Sequence, residues 1–266
     1  MDNRPIGIFD SGIGGLTLAT AITKVLPNEH LIYFGDTAHL PYGDKSVESI
    51  TEYSLRIADF LKKEDCKAML IACNTASSIA FDAVSAKFDF PIYNVIDPVT
   101  NYVAENYSGK KVGVIGTKGT IGTKVYEHRL LSLDPSMTVV EKATTLLATM
   151  IEEGFHNDSI SEAVIQAYLE DTQFVNLDAI IPACTHYPLI SNQIHKFFDG
   201  LVDVVDAPGI VANQIKSNLE KSNLLATDSQ SPHKFFVSDR TEAFEKATNI
   251  FFGEALHLEE HRFPVQ

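Results

Sequence analysis

The sequence predicts an α/β protein whose mostly parallel strands are covered by helices, built in two similar halves. Three observations predict it. Strand-like apolar runs alternate with amphipathic helix-like runs along the chain, the pattern of βαβ units. The strand-like runs are short, continuously apolar and rich in Val and Ile, as a sheet covered on both faces requires. Two strand–turn signatures also recur in the same order. Residues 5–14 (PIGIFDSGIG) are echoed by 111–120 (KVGVIGTKGT), and 67–78 (KAMLIACNTASS) by 177–189 (LDAIIPACTHYPL).

In chain order the reading gives strand 5–9, helix 15–26, strand 31–34, helix 47–64, strand 68–72, helix 75–87, strand 92–95 and helix 99–106. The second half repeats the alternation. Strand 111–115 is followed by helix 122–133, strand 137–140, helix 159–172, strand 179–182, helix 188–198, strand 202–205 and helix 208–221. Ser159 with Glu162 fits a capping box, and so does Asp239 with Glu242, ahead of a helix that stops near Gly253. The polar stretch 225–232 (LATDSQSP) reads as a surface loop. Crossovers between parallel strands should be right-handed.

Composition narrows the function classes. The 266 residues carry 21 Lys and Arg against 35 Asp and Glu, a net charge of −14, and 45% are hydrophobic. Such a chain buries a large core and is not a disordered one. The negative charge argues against a nucleic-acid backbone or an anionic membrane surface as partner. No apolar run approaches the ~18 residues of a membrane span. The N-terminus lacks the basic and apolar regions of a secretory signal. Three cysteines, Cys66, Cys73 and Cys184, are an odd, low number and point to a reducing cytosol and free thiols. Neither CxxC nor HExxH occurs, which argues against a zinc site.

In an open parallel sheet, ligands bind beyond the carboxyl ends of the strands. Four segments rich in small and polar residues follow predicted strands: Asp10–Gly15, Gly35–Asp36 with Pro41–Tyr42–Gly43, Cys73–Asn74–Thr75, and Cys184–Thr185–His186. Cys73 and Cys184 each end an apolar strand at a helix start. There the unpaired N–H groups and the dipole are expected to lower a thiol pKa from ~8.5 towards neutrality. The N–H and hydroxyl groups of Asn74, Thr75 and Thr185 could cradle a carboxylate. Cys66, between a helix and a strand, reads as an inert buried thiol. His186 is close enough in sequence to Cys184 to handle its proton. Asp10 reads equally as a carboxylate at the rim of the sheet and as a turn or cap residue. Residues 12–15 (GIGG) are too loose for a dinucleotide site, and no GxxxxGKS/T phosphate loop is present.

Five segments taken together resemble the glutamate racemase family: IGIFDSGIGGLT (6–17), YFGDTAHLPYG (33–43), IACNTAS (71–77), VGVIGTKGT (112–120) and CTHYPLI (184–190). They occur in the family's order and spacing and span nearly the whole chain. Ala183 departs from the family, which usually has Gly before the second cysteine. The resemblance implies two pseudo-symmetric α/β domains, 1–96 with 208–266 and then 97–207, with the active site between them. It implies a racemase without a cofactor that supplies D-glutamate for peptidoglycan in the cytoplasm, in a family that is often dimeric, so that a homodimer is allowed.

It also implies Cys73 and Cys184 as paired acid and base, with Asp10 assisting Cys73 and His186 assisting Cys184. Asp10, Ser11, Pro41, Tyr42, Gly43, Asn74, Thr75, Thr117, Thr120, Thr185 and His186 match substrate or support positions. Asp36 and Glu152 match carboxylates kept near the site, and no metal is expected. Some relatives carry an N-terminal extension for activation by a peptidoglycan precursor. This sequence starts at its first strand, so such control is not expected. The alternatives are an aspartate racemase-like enzyme, a cysteine-dependent amidase, or a protein that binds an acidic amino acid without turning it over.

Overall fold

The computed structural model describes residues 1–156, 158–228, 231–253 and 256–263. The first half of the chain runs β1 (Ile6–Asp10), α1 (Leu16–Val25), β2 (Leu31–Gly35), α2 (Val47–Lys63), β3 (Ala68–Ile71), α3 (Asn74–Ile79), α4 (Phe81–Lys87), β4 (Ile92–Asn94) and α5 (Ile96–Asn106). It continues with β5 (Lys111–Gly116), α6 (Lys118–Gly122), α7 (Val125–Leu133), β6 (Thr138–Ala143), α8 (Leu147–Glu152), α9 (Ser159–Leu169), β7 (Ala179–Ala183), α10 (Ser191–Phe197), β8 (Asp203–Val204) and α11 (Ala207–Lys221). It ends with β9 (Lys234–Val237), α12 (Glu242–Phe252) and β10 (Glu259–Glu260).

These strands form two sheets, of order β10-β9-β2-β1-β3-β4 and β6-β5-β7-β8, and every pairing is parallel. The recurrent signatures become a recurrent topology. The run β2-β1-β3-β4 of one sheet matches β6-β5-β7-β8 of the other, strand for strand. Cys73 follows β3 and Cys184 follows β7, so the two cysteines occupy equivalent places. β1, β2, β3 and β7 are buried at every residue, the burial that continuous apolar runs require of a central strand. Their side chains need helices on both faces, and α1 packs against α11 and α12 to cover one side.

The structure alters the expected elements in several places. Helix 75–87 is broken at Ala80 into α3 and α4. Helix 122–133 is shortened to α7, because Lys124 takes a left-handed φ of 58° and separates it from α6. Helix 188–198 opens as a 3-10 turn, Tyr187–Ile190, before α10. The cap of α9 is Asp158, which completes a capping box with Ser161, rather than Ser159 with Glu162. The cap of α12 is Thr241, which accepts from Phe244 N, rather than Asp239. Strands β9 and β10 and helix α8 are additions. Of the predicted loop 225–232, residues 229 and 230 lie outside the described residues. The rest of it is not all solvated, because Ala226 N donates to Glu29 Oε1 at 2.8 Å.

That contact belongs to a buried cluster under the first sheet. Lys67 Nζ lies 2.6 Å from Glu29 Oε2, with both side chains at most 2% exposed. It also donates to Asp2 O at 2.6 Å and Leu224 O at 2.7 Å. One ammonium therefore ties the N-terminus, the α1–β2 connection and the end of α11 to the start of β3.

Candidate active site

The carboxyl ends of both sheets open on one narrow cavity of about 50 Å³. Its walls include Ser11, Pro41, Tyr42, Gly43, Cys73, Asn74 and Thr75 from the first sheet's loops. Thr117, Glu152, Cys184, Thr185 and His186 come from the second sheet's side. Twelve of the residues singled out in the sequence thus meet around one space. Asp10, Asp36 and Thr120 stand behind this wall. Gly12, from the Asp10–Gly15 segment, also lines it, as do Leu40, Ala148 and Thr149, which were not singled out.

Cys73 is the N-cap of α3, and its sulfur accepts from Ala76 N at 3.4 Å. Its thiol lies 3.6 Å from Ser11 Oγ. The helix start does not lower this thiol as expected. Burial, followed by the nearby Asp10 charge, pushes it up to about 12, beyond what the Ala76 N–H and Ser11 offset. Cys73 is therefore a thiol at neutral pH.

Asp10 makes no hydrogen bond to Cys73. Its Oδ2 accepts from Gly12 N and Gly15 N, both at 3.1 Å, and its Oδ1 from Thr185 Oγ1 at 3.4 Å. Complete burial raises its carboxyl above the ordinary value. The two readings of Asp10 merge: it shapes the turn after β1 and also places charge beside the site.

Cys184 has a different neighbourhood. His186 Nδ1 lies 3.5 Å from its sulfur, and His186 Nε2 lies 2.8 Å from Glu152 Oε1. Burial alone would keep the imidazole neutral. Cys184 and Glu152 outweigh that and carry its pKa well above 6.5, so the ring is held as imidazolium. α8, which the sequence reading lacked, brings Glu152 into place.

Asp36 acts at one remove. It accepts from Tyr42 Oη at 2.6 Å and Ser238 Oγ at 2.7 Å, and pairs with His39 Nδ1 at 2.8 Å. The Tyr42 hydroxyl is therefore turned away from the cavity, and the segment Pro41–Gly43 meets it through its other atoms. Thr120 is buried and touches Thr75 Oγ1 at 3.2 Å and Thr117 Oγ1 at 3.1 Å, with Thr75 and Thr117 2.8 Å apart. Two glycines allow the halves to meet this closely. A Cβ on Gly14 would fall 2.5 Å from His186 Nδ1, and one on Gly119 would fall 2.6 Å from Thr75 Cγ2. Ala183, the departure noted above, lies on β7 opposite Gly116, whose missing side chain leaves its methyl room.

The Asp/Glu/Hydantoin racemase model matches residues 16–215. The chain belongs to the Asp/Glu/hydantoin racemase family. Membership makes it a cofactor-independent amino-acid racemase. It is similar to the glutamate racemase of Geobacter metallireducens, with 39% identity over 254 residues, 95% of this chain and 94% of the relative. Among solved structures it is similar to the glutamate racemase of Francisella tularensis in complex with D-glutamate. The TM-score is 0.92 and the identity 38%, with 98% of each chain covered. A glutamate racemase isoform from Bacillus anthracis matches over 100% of both chains, with a TM-score of 0.95 and 31% identity. The glutamate racemase of Escherichia coli, solved with L-glutamate and an activator, matches at a TM-score of 0.77, 25% identity and 92% of both chains. Among the described residues, no helix is long and apolar enough to cross a membrane.

Proposed function

We propose that this racemase interconverts L- and D-glutamate by a two-thiol mechanism and supplies D-glutamate for peptidoglycan in the cytoplasm. One observation carries the mechanism: Cys73 and Cys184 stand at equivalent strand ends of two matching sheets and line one cavity from its two sides. The relatives named with glutamate racemase activity, two of them solved with glutamate, support the choice of substrate. The domain division proposed is 1–96 with 208–266, and 97–207 for the second.

Inverting an α-carbon requires a base on one face and an acid on the other. His186 Nδ1 lies 3.5 Å from the Cys184 sulfur and the ring is held as imidazolium, so a positive charge stands beside that sulfur. Cys73 keeps its proton. In one direction the Cys184 sulfur takes the α-proton, and the C–H electron pair spreads onto the α-carboxylate. Cys73 then gives its proton to the opposite face. The enzyme ends with the two protonation states exchanged, and the reverse reaction or solvent exchange restores them.

The developing charge needs oriented donors. Thr75, Thr117 and Thr185 ring the cavity for that purpose, with Thr75 in the opening turn of α3. The global charge of −14 repels a substrate of net negative charge, so these local donors must overcome it.

Proton NMR of L-glutamate with the enzyme in D2O tests this reading. Loss of the α-proton signal together with decay of optical rotation is the expected result. A retained α-proton would exclude racemisation of glutamate, and the same assay with aspartate would then decide between the substrates.

A further inference from the structure

Asn74 is the one neutral amide on the first-sheet wall of the cavity, and its usefulness depends on which end faces inward. Its Oδ1 accepts from Tyr126 Oη at 2.6 Å, a buried bond between α3 and α7. Tyr126 is 1% exposed, and burial, then the charge of Cys184, pushes its phenol well above the ordinary 10. It therefore stays a donor throughout the working pH range. Among the described residues, the Asn74 amide nitrogen has no hydrogen-bond partner within the chain, although its residue lines the cavity. The oxygen is claimed and the two N–H donors are left to the ligand.

We propose that Tyr126 is a positioning residue for substrate recognition: its hydroxyl fixes the Asn74 amide so that the NH₂ group, not the carbonyl, faces the substrate carboxylate. This rests on the glutamate reading above. An amide free to turn would present its oxygen part of the time and repel the carboxylate. Tyr126 belongs to the half of the chain that carries Cys184. The donor at Asn74 is thus set only when both halves are together.

The test is a double-mutant cycle on purified full-length protein, with KM and kcat measured for both glutamate enantiomers. Tyr126→Phe should raise KM about 5- to 10-fold, the worth of one hydrogen bond, and change kcat by less than about 2-fold. Asn74→Ala should raise KM at least as much, and adding Tyr126→Phe to it should cost less than about 2-fold more. Asn74→Asp keeps the bond to Tyr126 but turns an oxygen towards the substrate, so it should raise KM more than Asn74→Ala. That variant serves even if Tyr126→Phe fails to fold. If Tyr126→Phe raised KM equally in both backgrounds, or lowered kcat alone, the positioning role would be overturned while the site stood. If Asn74→Ala left KM unchanged, Asn74 would not meet the substrate and both readings of it would fall.

Discussion

Glu152 Oε1 lies 2.8 Å from His186 Nε2, so the imidazole bridges a carboxylate at the end of α8 to the sulfur of Cys184 on its other side. The ring is charged below its raised pKa and loses that charge as pH rises through it. Glu152→Gln removes one of the two charges holding the proton. The alkaline limb of the pH–rate profile should move to lower pH, and kcat at neutral pH should fall about 10- to 100-fold, as for a displaced acid–base partner. An unchanged alkaline limb would detach Glu152 from the chemistry. Because enantiomers have equal free energy, kcat/KM must stay equal in the two directions in every variant.

Either cysteine changed to Ser should lower racemisation by at least about 1,000-fold, since a hydroxyl is far too weak an acid–base partner at neutral pH. Cys73→Ser leaves the Cys184–His186–Glu152 side intact. Deuterium from D2O should still enter one enantiomer without inversion, detectable by NMR and chiral chromatography. Near-normal turnover would exclude the two-thiol mechanism.

Gly14→Ala tests the close approach of the two halves. Its methyl would occupy the space of the His186 ring, 2.4 Å from Cε1 and 2.5 Å from Nδ1. Displacing the imidazole by even about 1 Å should cost about 100-fold in kcat. Circular dichroism should show the fold retained, because Gly14 sits in a turn and not in the core of a sheet.

Lys67→Met examines stability apart from chemistry. It strands the buried Glu29 carboxylate and frees the Asp2 and Leu224 carbonyls. Breaking such a pair from one side costs about 3–5 kcal/mol, readable by urea unfolding. The Lys67 cluster lies at the end of the sheet away from the cavity, so kcat per folded molecule should be unchanged. Lys67→Met with Glu29→Leu should recover part of the loss.

Much of this molecule was legible because local sequence decides local structure. Runs such as IGIF and AMLI admit little but a central strand, and all eight expected strands are present. β9 (KFFV) hid behind a polar stretch, and β10 is two glutamates at a sheet edge with no apolar signature. The cavity residues were readable as strings at strand ends. Tyr126, Gly14 and Gly119 were not, because each owes its role to a partner on the other half of the chain. The lowered Cys73 pKa was the wrong inference. A helix start favours thiolate, but complete burial beside Asp10 is the larger effect.

Hydrogen bonds that join the halves, Tyr126 to Asn74, Thr75 to Thr117 and Thr17 to the Thr185 carbonyl, run along the walls of the reaction chamber itself. A movement that broke these bonds would also undo the walls that hold Cys73 and Cys184 around one space.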